Sequence, residues 1–256
     1  MERYGFVLNT GTWAWEWKLS TLNSQKFHLG TCVFYGFSVF FCMMWRAGLK
    51  EGWRPPSYLK TVQYWHNVLL SLVSLAMMAV MLYETRADGR YVSWHSLACQ
   101  NTPNEGLYGF ANFIYLISKV WEWIDTYFLI IYDKGVIPLH FFHHMTTFTM
   151  AALTHNFPVG GFAHINCLVH FIMYARYGKV FKIPRILVTS LQLLQFICVI
   201  SIHPYGFMQP QGECFDFSGV AKEWYYCQGV VVVYFLLFIK FFIDNYVTAP
   251  SGKKDL

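Results

Sequence analysis

Forty-one consecutive residues, Gly135 to Ala175, carry no Asp, Glu, Lys or Arg. A helix needs about 20 predominantly apolar residues to cross the roughly 30 Å hydrocarbon core of a bilayer, so this run is about two spans long. Asn156-Phe157-Pro158-Val159-Gly160-Gly161 interrupts it. Proline beside paired glycine favours a turn, and a tight hairpin of two membrane helices is therefore expected. Phe27 to Trp45 and Val62 to Tyr83 are also uncharged and long enough to span. Hydropathy marks three more segments, at about Leu107 to Ile131, Ile186 to His203 and Trp224 to Ile243. All of these are continuously apolar over about 20 residues instead of alternating over about 10, which excludes transmembrane strands. Only 13% of the chain is charged, about half the share of a soluble domain. The expected fold is an all-α membrane protein of seven transmembrane helices over residues 27–246. A polar and aromatic segment, 1–26, precedes them, and a short tail, 247–256, follows. Residues 1–26 lack the compact apolar core and small-residue cleavage site of a signal peptide.

Basic residues set the orientation. With the tail in the cytosol, the cytosolic side holds eleven: Arg46, Lys50, Arg54, Lys60, Lys134, Arg176, Lys179, Lys182, Arg185, Lys253 and Lys254. The opposite side holds six: Arg3, Lys18, Lys26, Arg86, Arg90 and Lys222. The positive-inside bias therefore favours a luminal N-terminus and a cytosolic C-terminus. The last four residues, Lys253-Lys254-Asp255-Leu256, resemble a dilysine retrieval signal of endoplasmic reticulum membrane proteins, which is read from the cytosol. The net charge of +5 fits loops near anionic lipid or phosphate better than nucleic-acid binding. Cys32, Cys42, Cys167, Cys198 and Cys227 fall in or beside spans and read as packing residues. Cys99 and Cys214 fall in the two longest loops of the expected luminal face. An oxidising lumen allows them to pair, two free thiols being the alternative.

Ionisable side chains are costly inside a bilayer and mark functional sites or relays. The third span carries Lys119, Glu122, Asp125 and Thr126 within an arc of about 120°. On the fourth, His140, His143 and His144 stand at i, i+3 and i+4 and so share a face. The fifth repeats the pattern with Asn166, His170, Met173, Tyr174 and Tyr177, and the sixth adds Thr189, Gln192 and Gln195. Taken singly, each stripe is satisfied by an ion pair or by interhelical hydrogen bonds. Counted at about 1.5 Å per residue from the nearest cytosolic loop, however, Glu122, His143, His144, His170, Gln192 and Gln195 all fall roughly 10 to 16 Å deep. Helices that alternate in direction do not force that agreement, and one buried polar chamber accounts for all four stripes. His28, His155 and His164 lie outside this layer, and His66 and His95 have no clustered partner.

These residues, in this order, resemble the ELO family of fatty-acid elongases. Lys119-Val-Trp-Glu122-Trp-Ile-Asp125-Thr126 matches KxxExxDT, and His140-Phe-Phe-His143-His144 matches HxxHH. Asn166 to Tyr177 matches NxxxHxxMYxYY, and Thr189 to Gln195 matches TxxQxxQ. The resemblance runs from about Trp13 to Tyr246. Arg176 departs from it, standing where the family has the first tyrosine of a pair, and Gly135 stands where elongases of polyunsaturated chains usually carry Gln. The resemblance implies a 3-ketoacyl-CoA synthase that joins an acyl-CoA to malonyl-CoA with loss of CO2 and CoA. It implies a barrel of spans two to seven around a closed acyl tunnel, the first span outside, with no cofactor and no metal. A homodimer and contact with the other enzymes of the elongation cycle are implied too.

An imidazole can attack a thioester and split the condensation into two easier steps. The reading takes His143 as nucleophile, His170 as its partner, and His140 and His144 as orienting or proton-transferring groups. Direct condensation with histidine as base, or another histidine as nucleophile, stays open. Lys119, Asn166, Gln192 and Gln195 are candidates to stabilise the oxyanion or enolate, with Glu122 and Asp125 as supports. Lys134, Arg176, Lys179, Lys182 and Arg185 are the candidate cations for CoA phosphates. HxxHH also occurs in membrane di-iron desaturases and hydroxylases, so a metal oxidase is the alternative, although the layer offers few ligands for two irons. A receptor or proton-coupled transporter is a third reading, unsupported by any repeated half-domains.

Overall fold

The computed structural model describes residues 5–9, 12–16, 25–87, 93–99, 106–154, 162–210 and 213–248. The expected turn at 156–161 and the dilysine tail lie outside them. Among the described residues, four stretches are long and apolar enough to cross a membrane: Lys26–Ala47, Tyr58–Ala87, Arg185–Phe207 and Ser218–Val247. The helices of these stretches are α1 (Gln25–Ala47), α2 (Tyr58–Ala87), α8 (Arg185–Phe207) and α9 (Ala221–Phe242). A 3-10 turn, Ser218–Val220, leads into α9, and a π-helical turn, Ile243–Val247, continues it. Between α2 and α8 lie α3 (Trp94–Cys99), α4 (Gly106–Trp121), α5 (Trp123–Ile131), α6 (Pro138–Leu153) and α7 (Phe162–Tyr177).

Two features differ from the sequence expectation. Gly5–Asn9 (β1) and Thr12–Glu16 (β2) pair antiparallel, with Val7 opposite Ala14, so a small hairpin accompanies the helices. The alternation Thr12-Trp-Ala-Trp-Glu16 suits a strand. The expected third span is two helices, because the chain tightens at Glu122. The Glu122 amide still bonds Ser118 O at 2.8 Å, but the Asp125 amide bonds Glu122 O, three residues back, at 3.1 Å. Such tightened turns often mark function within a helix. Together α4 and α5 extend about 39 Å at 1.5 Å per residue.

Local chemistry fixes the ends nearest the site. Pro138 starts α6, where its missing N–H would have had no partner anyway. Both α5 and α7 end in a left-handed residue that is not glycine, Asp133 and Lys179, each with φ 56°. Lys134 N bonds Leu129 O and Val180 N bonds Ala175 O, both at 2.8 Å, the long-range bond of a Schellman cap. Asp133 is also held by Arg46 at 3.2 Å.

Neighbour relations place α2 against α4 and α7, α7 against α8, α8 against α9, α9 against α6, and α6 against α4. The six form a closed circuit, and α1 packs on α5 and α6. Phe34, Phe37, Phe41 and Met44 of α1 are exposed, as a lipid-facing helix requires. Close approach in a membrane depends on small side chains and interhelical hydrogen bonds more than on apolar burial. On α2, Ser71 Oγ donates to Phe171 O at 3.0 Å, and the Gly178 Cα position leaves room for Val68 and Asn67. One apolar cluster, with Met81, Leu116, Phe148 and Cys167, joins α2, α4, α6 and α7. A second, with Phe196, Val199, Trp224 and Tyr234, joins α6, α8 and α9. Cys99 and Cys214 form a disulfide, Cα atoms 4.4 Å apart, tying α3 to the segment before α9.

Candidate active site

The centre of the polar layer is a buried ion pair. Lys119 Nζ donates to Glu122 Oε1 at 2.8 Å, and the two side chains are 3% and 2% exposed. The stripe on α4 brings them together, since residues three apart share a face. Lys119 also donates to Asn166 Oδ1 at 3.2 Å and sits 4.4 Å from the Tyr115 ring centroid. His170 Nδ1 lies 3.4 Å from Glu122 Oε1, so α7 reaches the same carboxylate. Asn166 Nδ2 donates to Gln195 Oε1 at 3.3 Å, bringing in α8. That bond leaves the Gln195 amide hydrogens to serve another acceptor. Glu122 Oε2 is buried without a hydrogen-bond partner among the described residues.

One turn along, Asp125 gathers a second group. Tyr174 OH donates to Asp125 Oδ2 at 2.6 Å, and His66 Nε2 lies 2.9 Å from Oδ1. Trp121 Nε1, which can only donate, reaches His66 Nδ1 at 3.1 Å. His66 therefore carries its proton on Nε2 and donates it to Asp125. Sequence reasoning left His66 unassigned. The signal was a fifth polar stripe on α2, His66, Asn67, Ser71 and Ser74, all buried.

The three α6 histidines are adjacent. Ring centroids of His140 and His144 are 4.2 Å apart, and those of His143 and His144 are 5.3 Å apart. Thr126 Oγ1 is 2.9 Å from His140 Nε2 and 2.8 Å from Tyr35 OH on α1. Tyr234 of α9 lies against His143, centroids 4.9 Å apart. Its hydroxyl meets Thr146 Oγ1 at 2.6 Å and donates toward His143 O at 3.3 Å. His144 is anchored through its carbonyl, which accepts from Trp123 Nε1 at 2.9 Å, while its buried Nδ1 has no hydrogen-bond partner among the described residues. Tyr35, Tyr115, Trp121, Thr146 and Tyr234 were all missed from sequence, because aromatic and Thr side chains on apolar helices read as packing.

A cavity of about 1240 Å³ reaches this layer. His140, His144, Asp125, Asn67 and Met173 form part of its wall, and Lys60, Lys134, Arg176, Lys179, Lys182 and Arg185 also line it. All five sequence-selected cations thus meet at one cavity, and Lys60 joins them. Tyr177 is there too, whereas His143 and His170 are not among its lining residues. Arg176, the departure from the tyrosine pattern, donates from Nε to Ile183 O at 3.0 Å and braces the loop before α8. Gln192 Nε2 contacts Met173 Sδ at 3.5 Å, and Thr189 Oγ1 contacts Tyr246 OH at 3.2 Å.

His164 bonds Thr85 at 3.0 Å, His95 contacts Tyr205 at 3.5 Å, and His28 is buried. His155 lies outside the described residues. Among the described residues, no three His, Cys, Asp or Glu side chains converge as a metal-binding set.

Residues 20–254 match the ELO, or GNS1/SUR4, family. Fatty acid elongase sre1 of Dictyostelium discoideum is 27% identical over 258 aligned residues, covering 96% of this chain and 93% of that protein. Putative fatty acid elongase 3 of Caenorhabditis elegans is 30% identical, covering 75% of this chain and 63% of that protein. Very long chain fatty acid elongase 3 of Homo sapiens is 34% identical, covering 54% of each. With the family match extending over nearly its whole length, this membrane protein belongs to the ELO (GNS1/SUR4) family.

Proposed function

We propose that the chain is a 3-ketoacyl-CoA synthase that condenses a long-chain acyl-CoA with malonyl-CoA, the first step of the fatty-acid elongation cycle. The observation that carries this reading is the cavity whose wall combines six cations with His140 and His144, beside the buried Lys119–Glu122–His170 cluster. Cations suit the phosphates of CoA, and the histidines supply thioester chemistry.

In the proposed reaction, neutral His143 attacks the acyl thioester, the C–S bond breaks, and the imidazole proton passes to the departing CoA thiolate. The products of this half are acyl-His143 and CoA. Malonyl-CoA then loses CO2, leaving an enolate whose α-carbon attacks the acyl-imidazole. The C–N bond breaks, the imidazole takes up one proton, and 3-ketoacyl-CoA leaves two carbons longer. The His143 and His144 rings lie 5.3 Å apart and those of His140 and His144 4.2 Å apart, which supports His140 and His144 as proton carriers, and His170, held at 3.4 Å from Glu122, is the proposed partner. Lys119, Asn166, Gln192 and Gln195 are the proposed stabilisers of developing negative charge. Gln195 is the best placed, because its carbonyl is already held by Asn166. Fixed donors in a dry site cost no reorganisation as charge develops.

The same reading takes the chain across the membrane seven times, with α4 and α5 as one span and α6 and α7 as two. The closed circuit of α2, α4, α6, α9, α8 and α7 supports a barrel around an acyl tunnel, with α1 outside. Each buried methylene would contribute about 0.8 kcal/mol to holding the tail. The proposed setting is the endoplasmic reticulum membrane, N-terminus in the lumen, tail and cavity mouth in the cytosol. A homodimer working with the other enzymes of the cycle completes the proposal. A metal oxidase is not favoured, since His140 Nε2 meets Thr126 and His170 Nδ1 meets Glu122, and among the described residues no three His, Cys, Asp or Glu side chains converge as a metal-binding set.

The test is a panel of acyl-CoA lengths with labelled malonyl-CoA and protein in liposomes, with and without chelator. Chelator-insensitive formation of a product two carbons longer is expected. Chelator-sensitive, oxygen-dependent chemistry without malonyl incorporation would overturn the reading.

A further inference from the structure

We infer that Tyr35, on the first helix, is a positioning residue that fixes His140 as the tautomer carrying its proton on Nδ1. Tyr35 is fully buried, 0% exposed, with its ring centroid 5.1 Å from Trp123 and 5.6 Å from Phe141. Its hydroxyl is 2.8 Å from Thr126 Oγ1, and Thr126 Oγ1 is 2.9 Å from His140 Nε2. Among the described residues the Tyr35 hydroxyl has no other hydrogen-bond partner.

The direction of this chain follows from counting hydrogens. Each hydroxyl has one hydrogen to give. If Thr126 gave its hydrogen to Tyr35, the phenol proton would be buried with no acceptor, at a penalty that buried polar groups avoid. Tyr35 therefore donates to Thr126. Thr126, accepting from the phenol, has its own hydrogen free for His140 Nε2. An imidazole nitrogen that accepts carries no proton, so the neutral ring holds it on Nδ1. His140 is part of the cavity wall, and Nδ1–H becomes its one donor there. A helix packed outside the circuit of six thereby sets the donor pattern of a site histidine, and Phe41 or Met44, exposed on the same helix, could not do so.

The kinetic consequence rests on the elongase reading; the tautomer does not. The experiment uses full-length protein in nanodiscs, labelled with 15N-histidine, with His140 assigned through a His140→Gln variant. Imidazole 15N shifts should report protonation at Nδ1 in the wild type and a mixture of tautomers in Tyr35→Phe. Thr126→Ser should keep the wild-type tautomer and Thr126→Val should lose it. In the malonyl-CoA assay, Tyr35→Phe should lower kcat about tenfold, the scale of one neutral hydrogen bond, with KM for both CoA substrates unchanged and the melting temperature lowered only by the few degrees that one lost hydrogen bond accounts for. Protonation of wild-type His140 at Nε2, or an unaltered tautomer in Tyr35→Phe and Thr126→Val, overturns the assignment. A changed tautomer with unchanged kcat overturns the positioning role. Wild-type protein that makes no malonyl-dependent product would refute the elongase reading instead, and the spectra would still decide the tautomer.

Discussion

Glu122→Gln removes one charge from the buried layer and almost nothing from its shape. At 2.8 Å and an effective dielectric of about 20, the Lys119–Glu122 attraction is about 6 kcal/mol. In the variant, the Lys119 ammonium, 3% exposed, is left with neutral partners alone: the introduced amide oxygen, the Asn166 carbonyl at 3.2 Å and the Tyr115 ring face. Breaking a buried pair this way costs about 3–5 kcal/mol, because the remaining charge is uncompensated. Lys119→Met leaves the opposite charge, held by Ser118 at 3.3 Å and His170 at 3.4 Å, and should cost a similar amount. The double variant, Lys119→Met with Glu122→Gln, leaves no charge to desolvate and should recover most of the loss. The assay is thermal unfolding of the purified protein in nanodiscs at one fixed scan rate, which matters if unfolding is irreversible. Each single variant should melt lower by on the order of 10 °C, and the double variant should lie within a few degrees of wild type. Single variants that melt like wild type, or a double variant that sums the two losses, would refute the ion-pair argument.

Gly206→Ala would place a Cβ 2.7 Å from the Ala98 carbonyl oxygen, forcing α8 from α3; an overpacking loss of about 1–3 kcal/mol should appear in the same melting assay. Tyr234→Phe deletes the Thr146 bond but keeps the ring against His143, so stability should fall by about 1 kcal/mol with a larger proportional loss in kcat than in KM. Replacing Lys60, Lys179 and Lys182 together with Ala should raise KM for acyl-CoA by about tenfold and leave kcat intact, with the gap from wild type narrowing at high salt as cation–phosphate attraction is screened.

The helices were legible wherever apolar character alone decides. Phe27 to Trp45 and Val62 to Tyr83 fall inside α1 and α2, and Ile186 to His203 falls inside α8, which runs on through Pro204 to Phe207. The break at Glu122 was not legible, since helical spacing correctly puts Lys119 and Glu122 on one face whether or not the backbone tightens between them. Neither was the strand pairing of β1 with β2, which depends on a partner strand and not on composition. For the site, stripes of Lys, Glu, Asp and His stand out because a bilayer makes them costly; three such stripes meet through Lys119, His170, Asn166 and Gln195, and the α6 histidines join them through the Thr126–His140 contact. His66 was the failure of that logic: one histidine among Ser and Asn on α2 looked isolated until α5 supplied Asp125. Tyr35 and Tyr234 were hidden for a different reason, since a tyrosine in an apolar helix announces its ring and not the partner of its hydroxyl.

His143 is the residue proposed to carry the acyl group. The most direct measurement is peptide mass spectrometry of protein incubated with an acyl-CoA alone, then with malonyl-CoA. The acyl mass should appear on the peptide containing His143, disappear as malonyl-CoA is added and product forms, and never appear in a folded His143→Ala variant, which should make no product. A His143→Ala protein that still elongates, or an acyl group trapped on a different residue, would contradict the claim.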